Sequence, residues 1–461
     1  MDGFYLCESR CNAEMSEWHT LVSPRRLGDG GAPGDTSRID PVEFQNDYDT
    51  LIFSAPFRRL QNKTQVFPLP GSIFVHNRLT HSLEVAAVGS RIARNAMLRL
   101  SAADAGLRGL VESCVSITAA ACLAHDLGNP PFGHAGERAI ATFFAEGGGQ
   151  EIEPLVREDL GEKKGRAYWS DLCKFDGNAN AFRLLTRQYE AGRWGGSGMT
   201  LSVLAAVVKY PYSSTLCEER HKFGFFVSES ETFKHVAATL GMVKLRDDEE
   251  GVCYARHPLA YFVEAADDIC YQIMDMEDAA KLHIVTANEA ESLLLSFLDG
   301  RVQGDNCRRS EDERIASLRT AVIDRLIDES VGVFCENCTD ILNGTFKGSL
   351  IEHASDKVSQ AYRACTQVAR ERIYTAHEVV DVELAGYHII HMLLDLMTEA
   401  AMYPNRTMNK VMLSRVPEQY KIDSPVLTGR LSGILDYVAE MTDVYALDLY
   451  RKITGQSLPS I

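Results

Sequence analysis

The stretch ACLAHDLGNPPFGHAGERA, residues 121–139, sets His125 and Asp126 side by side where an apolar helical pattern ends. Beyond a double proline it carries His134 and Glu137, three residues apart. Imidazole and carboxylate together bind a borderline divalent cation or move a proton. The same pair can also do no more than close a helix end with a mutual hydrogen bond, so this stretch alone leaves both readings open. Helical neighbours diverge by about 100°, so His125 and Asp126 reach one ion only if it lies between them. Gly128 and Pro130-Pro131 stop the helix and place the pair at an opening.

Two more stretches extend the set. HNRLTHSLEVA, residues 76–86, puts Arg78 and His81 three residues apart at the start of a helix, on one face. EAADDICYQIMDMEDA, residues 264–279, sets Asp267, Tyr271 and Asp275 at i, i+4 and i+8 on one helical line. That line runs beside an apolar stripe, where a cleft wall belongs, and Asp268 points about 100° away from it. Two imidazoles and two carboxylates suit a divalent ion and leave positions for water and substrate.

The elements that must position these groups are helical. Three- and four-residue apolar spacing predicts helices over Ser82–Leu100, Val111–Asp126, Gly133–Phe144 and Pro258–Leu282. It predicts others over Glu311–Ile327, Leu350–Arg372, His377–Ala401 and Gly429–Tyr450. Gly147–Lys174 reads as a charged connection and Gly192–Gly198 as a glycine-rich loop. Only Phe223–Val227 and Val252–Arg256 read as strands, at most a small hairpin. The expected fold class is mostly α.

The chain of 461 residues exceeds the usual length of one domain. Its net charge of −17 disfavours general polyanion binding, so an anionic substrate needs a local basic cluster. Twelve cysteines scattered among helical patterns read as free thiols in a reducing compartment. Cys335-Glu-Asn-Cys338 has no second pair at zinc-site spacing and reads as structural. No apolar run spans a membrane and the N-terminus has no secretory pattern; a cytoplasmic protein with no membrane partner is expected. His388 and His391 stand three apart within an apolar helix and read as packing residues, and Asp247–Glu250 as a solvated turn.

RLTHS, HDLGNPPFGHAGE and EAADDICY together resemble the HD superfamily and, within it, the bacterial dGTP triphosphohydrolases. FRRLQNKTQVFPLPG (Phe57–Gly71), KFDGNANAFR (Lys174–Arg183), KYP (Lys209–Pro211) and DYVAEMTDVYALDLY near the C-terminus add to the likeness, which runs from about Trp18 to Tyr450. The resemblance implies a helical HD bundle over 18–290, a short extension over 1–17, and helices over 291–461 that complete the substrate pocket and oligomer contacts. It implies His81, His125, Asp126 and Asp267 as ligands of a divalent metal, Mn or Mg ahead of Co, Ni or Fe. The helical-line argument selects Asp267 over Asp268 independently.

The reaction implied is addition of water at the α-phosphorus of dGTP, releasing deoxyguanosine and triphosphate, with His134 and Glu137 as the proton-transfer pair. The position after the HD pair where broader-specificity relatives carry a further His is Asn129 here. Arg58, Arg59, Lys63, Arg78 and Lys209 supply the basic cluster. The likeness sets Gln65 and Asn178 near the base or sugar, Tyr271 and Asp275 near the sugar, and Arg430 at the site late in the chain. The chain departs from the pattern at Thr50, where relatives often have an Arg. The rival readings are a broad dNTP triphosphohydrolase switched on by a second nucleotide, and a nucleic-acid-binding HD protein without turnover. A homo-oligomer, hexamer or tetramer, is implied. Single-stranded DNA is a further partner known among such proteins, although no basic–aromatic stripe is present here.

Overall fold

A computed structural model describes residues 17–28, 39–67, 75–187, 198–217, 222–299 and 310–457. Most of the expected 1–17 extension, the Gly192–Gly198 loop apart from Gly198, and the end of the Phe57–Gly71 motif lie outside the described residues. The helices that matter for the site are α1 (Pro41–Phe53), α2 (Arg78–Ala103), α3 (Val111–Ala124), α4 (His134–Ala145), α5 (Gly177–Thr186), α6 (Leu201–Val207) and α7 (Pro258–Lys281). Then come α8 (Glu311–Glu336), α9 (Asp356–Val368), α10 (His377–Met402), α11 (Leu427–Ala439) and α12 (Asp443–Ile453). The mostly helical architecture read from the sequence is the one observed.

Local chemistry explains the ends of the site helices. Asn77 and Thr80 form a reciprocal capping box at the start of α2, satisfying two backbone N–H groups that helix geometry leaves open. Asn77 is therefore the stop that sets the phase of Arg78 and His81. Helix α3 is apolar on nearly every face and buried between α2, α1 and α7. Residues 105–124 are the only described stretch long and apolar enough to cross a membrane, and most of it is buried in the core. His257 caps α7, accepting from Leu259 N–H, with Pro258 in the first turn where its missing N–H is harmless.

Two apolar cores form. The first gathers α1, α2, α3, α6, α7 and α8, with Phe44, Ile92, Ile117, Phe262 and Phe334 fully buried. The second gathers α4, α10, α11 and α12, with Ile140, Phe143, Ile390, Leu394, Val438 and Leu449 buried. Each large side chain buried this way contributes roughly 1.5–3 kcal/mol. The cores interleave along the chain, the first reaching from Trp18 to Val379 and the second from Ala139 to Leu449, so they do not part at residue 290.

Three expectations change. The hairpin pairs β1 (Lys244–Asp247) with β2 (Val252–Tyr254), antiparallel, and Phe223–Val227 is not one of its strands. Phe223 and Phe226 enter the second core and Phe225 the first, so this aromatic run plugs both cores instead of lining one face. Strand β1 is exposed on both faces and carries no alternation to read; the acidic run that follows it is the exposed turn. Gly147–Lys174 contains two helices, Glu153–Leu160 and Glu162–Cys173, whose buried Val156, Tyr168 and Leu172 are sparse among charges. The helix expected over Gly429–Tyr450 is two, because Thr442 breaks it and caps α12 by accepting from Tyr445 N–H.

Candidate active site

Helix α3 ends at His125, and the chain turns through Gly128 and Pro130-Pro131 into α4. The turn requires φ of +62° at Phe132 and +56° at Gly133. A Cβ at Gly133 would overlap the Arg78 guanidinium, so glycine is needed both for conformation and for space. A cavity of about 200 Å³ opens at this corner, lined by Gln65, Arg78, His125, Asp126, Asn129, His134, Glu137, Asn178, Lys209, Tyr210, Lys222, Asp267 and Tyr271.

Ligand atoms of His81, His125 and Asp126 lie within 4.8 Å of one another. Asp267 Oδ1 is 3.2 Å from His81 Nε2 and 3.6 Å from His125 Nε2. His125 Nδ1 donates to Cys122 O at 2.7 Å, which fixes the ring and turns Nε2 toward the carboxylates. Nε2 itself is buried, with no hydrogen-bond partner among the described residues. A buried, oriented imidazole nitrogen facing two carboxylates is a donor set that fits a divalent cation. Burial opposes charge on His125, but Asp126 and Asp267 raise it to about 9. Asp267 is held well below the ordinary carboxylate range in spite of its burial, chiefly by His125.

Asp126 is braced by Arg78 Nη1 at 2.7 Å and by the Asn129 amide. Asp268 points elsewhere, 3.8 Å from Lys209, and its burial pushes it up to about 7. Lys209 lies among Glu264, Asp267 and Asp268 at 3.6–4.0 Å.

His134 lines the same cavity from the first turn of α4. Its crowded surroundings lower its pKa below the ordinary imidazole range, with Glu137 opposing and Lys222 reinforcing. No hydrogen bond joins His134 to Glu137. Glu137 accepts from Gly177 N–H at 2.7 Å and from Lys222 Nζ at 3.5 Å. Burial would raise Glu137, but Lys222, His134 and the Gly177 N–H keep it low and ionised.

The remaining expected residues divide. Gln65, Arg78, Asn178, Lys209 and Tyr271 line the cavity, and Gln65 Oε1 and Arg78 Nε have no hydrogen-bond partner among the described residues. Asp275 lies one turn beyond Tyr271, buried, accepting from Tyr374 O–H at 2.9 Å; burial pushes it up to about 8. Four cations stand away from the cavity. Arg58 is exposed over the Phe53 ring, and Arg59 pairs with Glu440 at 2.5 Å. Lys63 is fully buried, donating to the carbonyls of Asn129 and Ala439, and burial lowers it to about 7. Arg430 donates to the carbonyls of Ala401, Ser424 and Pro425.

Sequence reasoning missed Lys222, which stands beside an aromatic run with no periodicity, and left Tyr210 unassigned inside the KYP motif. His388 is exposed and meets the Tyr450 ring, and the half-buried His391 stacks on Tyr387. Cys338 is buried and Cys335 half-buried.

A helical bundle that clusters His, His-Asp and Asp from three separate segments beside one cavity defines a class, the HD-domain phosphohydrolases. Residues 78–208 match the HD domain model and residues 353–452 match the phosphohydrolase-associated domain model. A deoxyguanosinetriphosphate triphosphohydrolase-like protein of Pseudomonas aeruginosa is 34% identical over 467 residues, covering 96% of this chain and all of the relative. A protein of the same description from Synechocystis is 34% identical with the same coverage. A deoxyguanosinetriphosphate triphosphohydrolase of Yersinia enterocolitica is 30% identical over 93% of this chain and 97% of its own. The chain belongs to the family of deoxyguanosinetriphosphate triphosphohydrolase-like HD-domain hydrolases.

Proposed function

We propose that this protein hydrolyses dGTP to deoxyguanosine and triphosphate. The observation that carries the reading is one cavity with two chemically distinct groups: the cluster of His81, His125, Asp126 and Asp267, in which the buried His125 Nε2 faces two carboxylates, and the His134–Glu137–Lys222 group. The names of the relatives supply dGTP as the first substrate to try.

His81, His125, Asp126 and Asp267 would hold a divalent ion, Mn or Mg first, and Lewis acidity toward an α-phosphate oxygen is the chemistry such an ion supplies. Arg78, Lys209 and Lys222 offset triphosphate charge where the overall field does not. Water adds at the α-phosphorus, the bond from phosphorus to the 5′-oxygen breaks, and a proton goes to that oxygen. The lowered His134 favours its neutral form in the ligand-free chain, and the negative charge of a bound triphosphate favours its protonated, donating form. Glu137, ionised and anchored by Gly177 and Lys222, stabilises that cation through space. Tyr271 faces the sugar, where a ring leaves no room for a 2′-hydroxyl.

The test incubates the protein with each of the four dNTPs and with GTP, singly and in pairs, with Mg or Mn, and separates the products. Deoxyguanosine and triphosphate from dGTP alone are expected. Stimulation of other dNTPs by a second nucleotide would replace dGTP specificity with broad specificity, and dGMP with pyrophosphate would overturn the reading. Assembly into a hexamer or tetramer, and an effect of single-stranded DNA on turnover, belong to the same proposal. Light scattering and an added oligonucleotide read them out.

A further inference from the structure

The segment Asp436–Tyr450 contributes no side chain to the cavity lining. Within it, Asp443 is buried at the start of α12 and its two carboxylate oxygens serve separate partners. Oδ2 accepts from Thr64 N–H and Oδ1 from Phe132 N–H, both at 2.8 Å. Neither donor belongs to a helix, so no helical carbonyl is there to receive it. Each stands just before a cavity residue: Thr64 precedes Gln65, and Phe132 precedes Gly133 and His134.

The Phe132 backbone is strained at φ +62°, and such a conformation persists only where its surroundings over-determine it. Asp443 holds its N–H from one side. On the other side α10 places Gly386, where a Cβ would run into the Phe132 ring. Lys63, beside Thr64, crosses the same seam to the carbonyls of Asn129 and Ala439.

We infer that Asp443 is a positioning residue whose carboxylate clamps the Thr64–Gln65 segment to the Phe132–Gly133 turn and thereby sets His134 against the ligand cluster. The inference rests on the reading of His134 as the proton-transfer group. A carboxylate suits the task because it offers two acceptors and no donor. An amide of the same shape offers one acceptor and turns an N–H toward a backbone N–H.

The test compares the full-length wild type with Asp443→Asn and, from the opposite side, Gly386→Ala. In Asp443→Asn, amide hydrogen exchange should rise together in peptides covering residues 60–67 and 128–138, while metal content and the melting curve stay close to wild type. For dGTP, kcat should fall about 10²-fold with KM within about threefold, because displacement by an ångström affects chemistry more than binding. Gly386→Ala should show the same kcat-selective loss with Asp443 intact.

Wild-type exchange and kcat in Asp443→Asn would overturn the clamp. So would losses that merely follow a lowered melting temperature or lost metal. If the wild type releases no triphosphate from dGTP, the functional reading fails, and exchange alone decides the clamp: joint release of the two peptides upholds it, and unchanged exchange overturns it.

Discussion

His125 and His134 come from one short motif and line one cavity, yet they stand in opposite electrostatic surroundings. His125 ends a helix of the first core and faces Asp126 and Asp267, which raise it to about 9 against the effect of burial. His134 begins α4, whose apolar face of Ala139, Ile140, Phe143 and Phe144 packs into the second core. His134 is exposed at the cavity, yet partial desolvation lowers it, and the cation of Lys222 adds to that. One wall is therefore arranged to keep a positive charge and the other to release one. The same residue type is tuned both ways by which core supports it and which charges that core brings near.

The largest effect separating the walls concerns the cation. His125→Ala or Asp267→Ala should abolish bound metal and turnover without a matching loss in the thermal melt, whereas Asp268→Ala should retain metal, since Asp268 pairs with Lys209. Metal analysis beside activity makes the check. Loss of metal in Asp268→Ala with retention in Asp267→Ala would break the assignment of the cation wall.

The proton wall should respond differently. His134→Ala is expected to lower kcat by about 10²–10⁴ with metal content unchanged. Glu137→Gln should lower it less, because the amide oxygen can still accept from Gly177 N–H while the charge facing His134 is gone. The double variant should cost far less than the product of the two, as groups acting together do. Variants that melt normally, hold metal and turn over dGTP at wild-type rate would remove His134 from the chemistry.

A smaller effect sharpens the contrast through pH. The His125 imidazole must be neutral to bind metal, and in the ligand-free chain it is protonated below about 9. Lowering pH from 9 toward 6 should therefore weaken Mn binding, by at most about tenfold per unit, with proton release on binding. Calorimetry in two buffers of different ionisation enthalpy measures both. An affinity independent of pH would mean that the two carboxylates do not hold that proton.

Much of the site was legible because local sterics write it. Pro130-Pro131 after His125-Asp126 dictates a corner, and the spacing of Asp267, Tyr271 and Asp275 dictates one helical line. The basic cluster was legible only in part. Arg78 and Lys209 reach the cavity, but Arg58 lies exposed over the Phe53 ring, Arg59 pairs with Glu440, and Lys63 bonds to the carbonyls of Asn129 and Ala439. A long cationic side chain has many partners within reach, and its own sequence neighbours do not say which one the packing will deliver.

What the sequence by itself determined is the set of turns and helix phases that aim His81, His125, Asp126 and Asp267 outward from their helices, since each depends on contacts within a few residues. Only the tertiary structure decided that those helices share one core while α4 rests on another, that Lys222 joins Glu137 at the cavity, and that Asp443 ties Thr64 to Phe132. Those contacts join residues far apart in the chain. Their geometry follows from how two apolar cores fill space against each other, a property no short stretch of sequence carries.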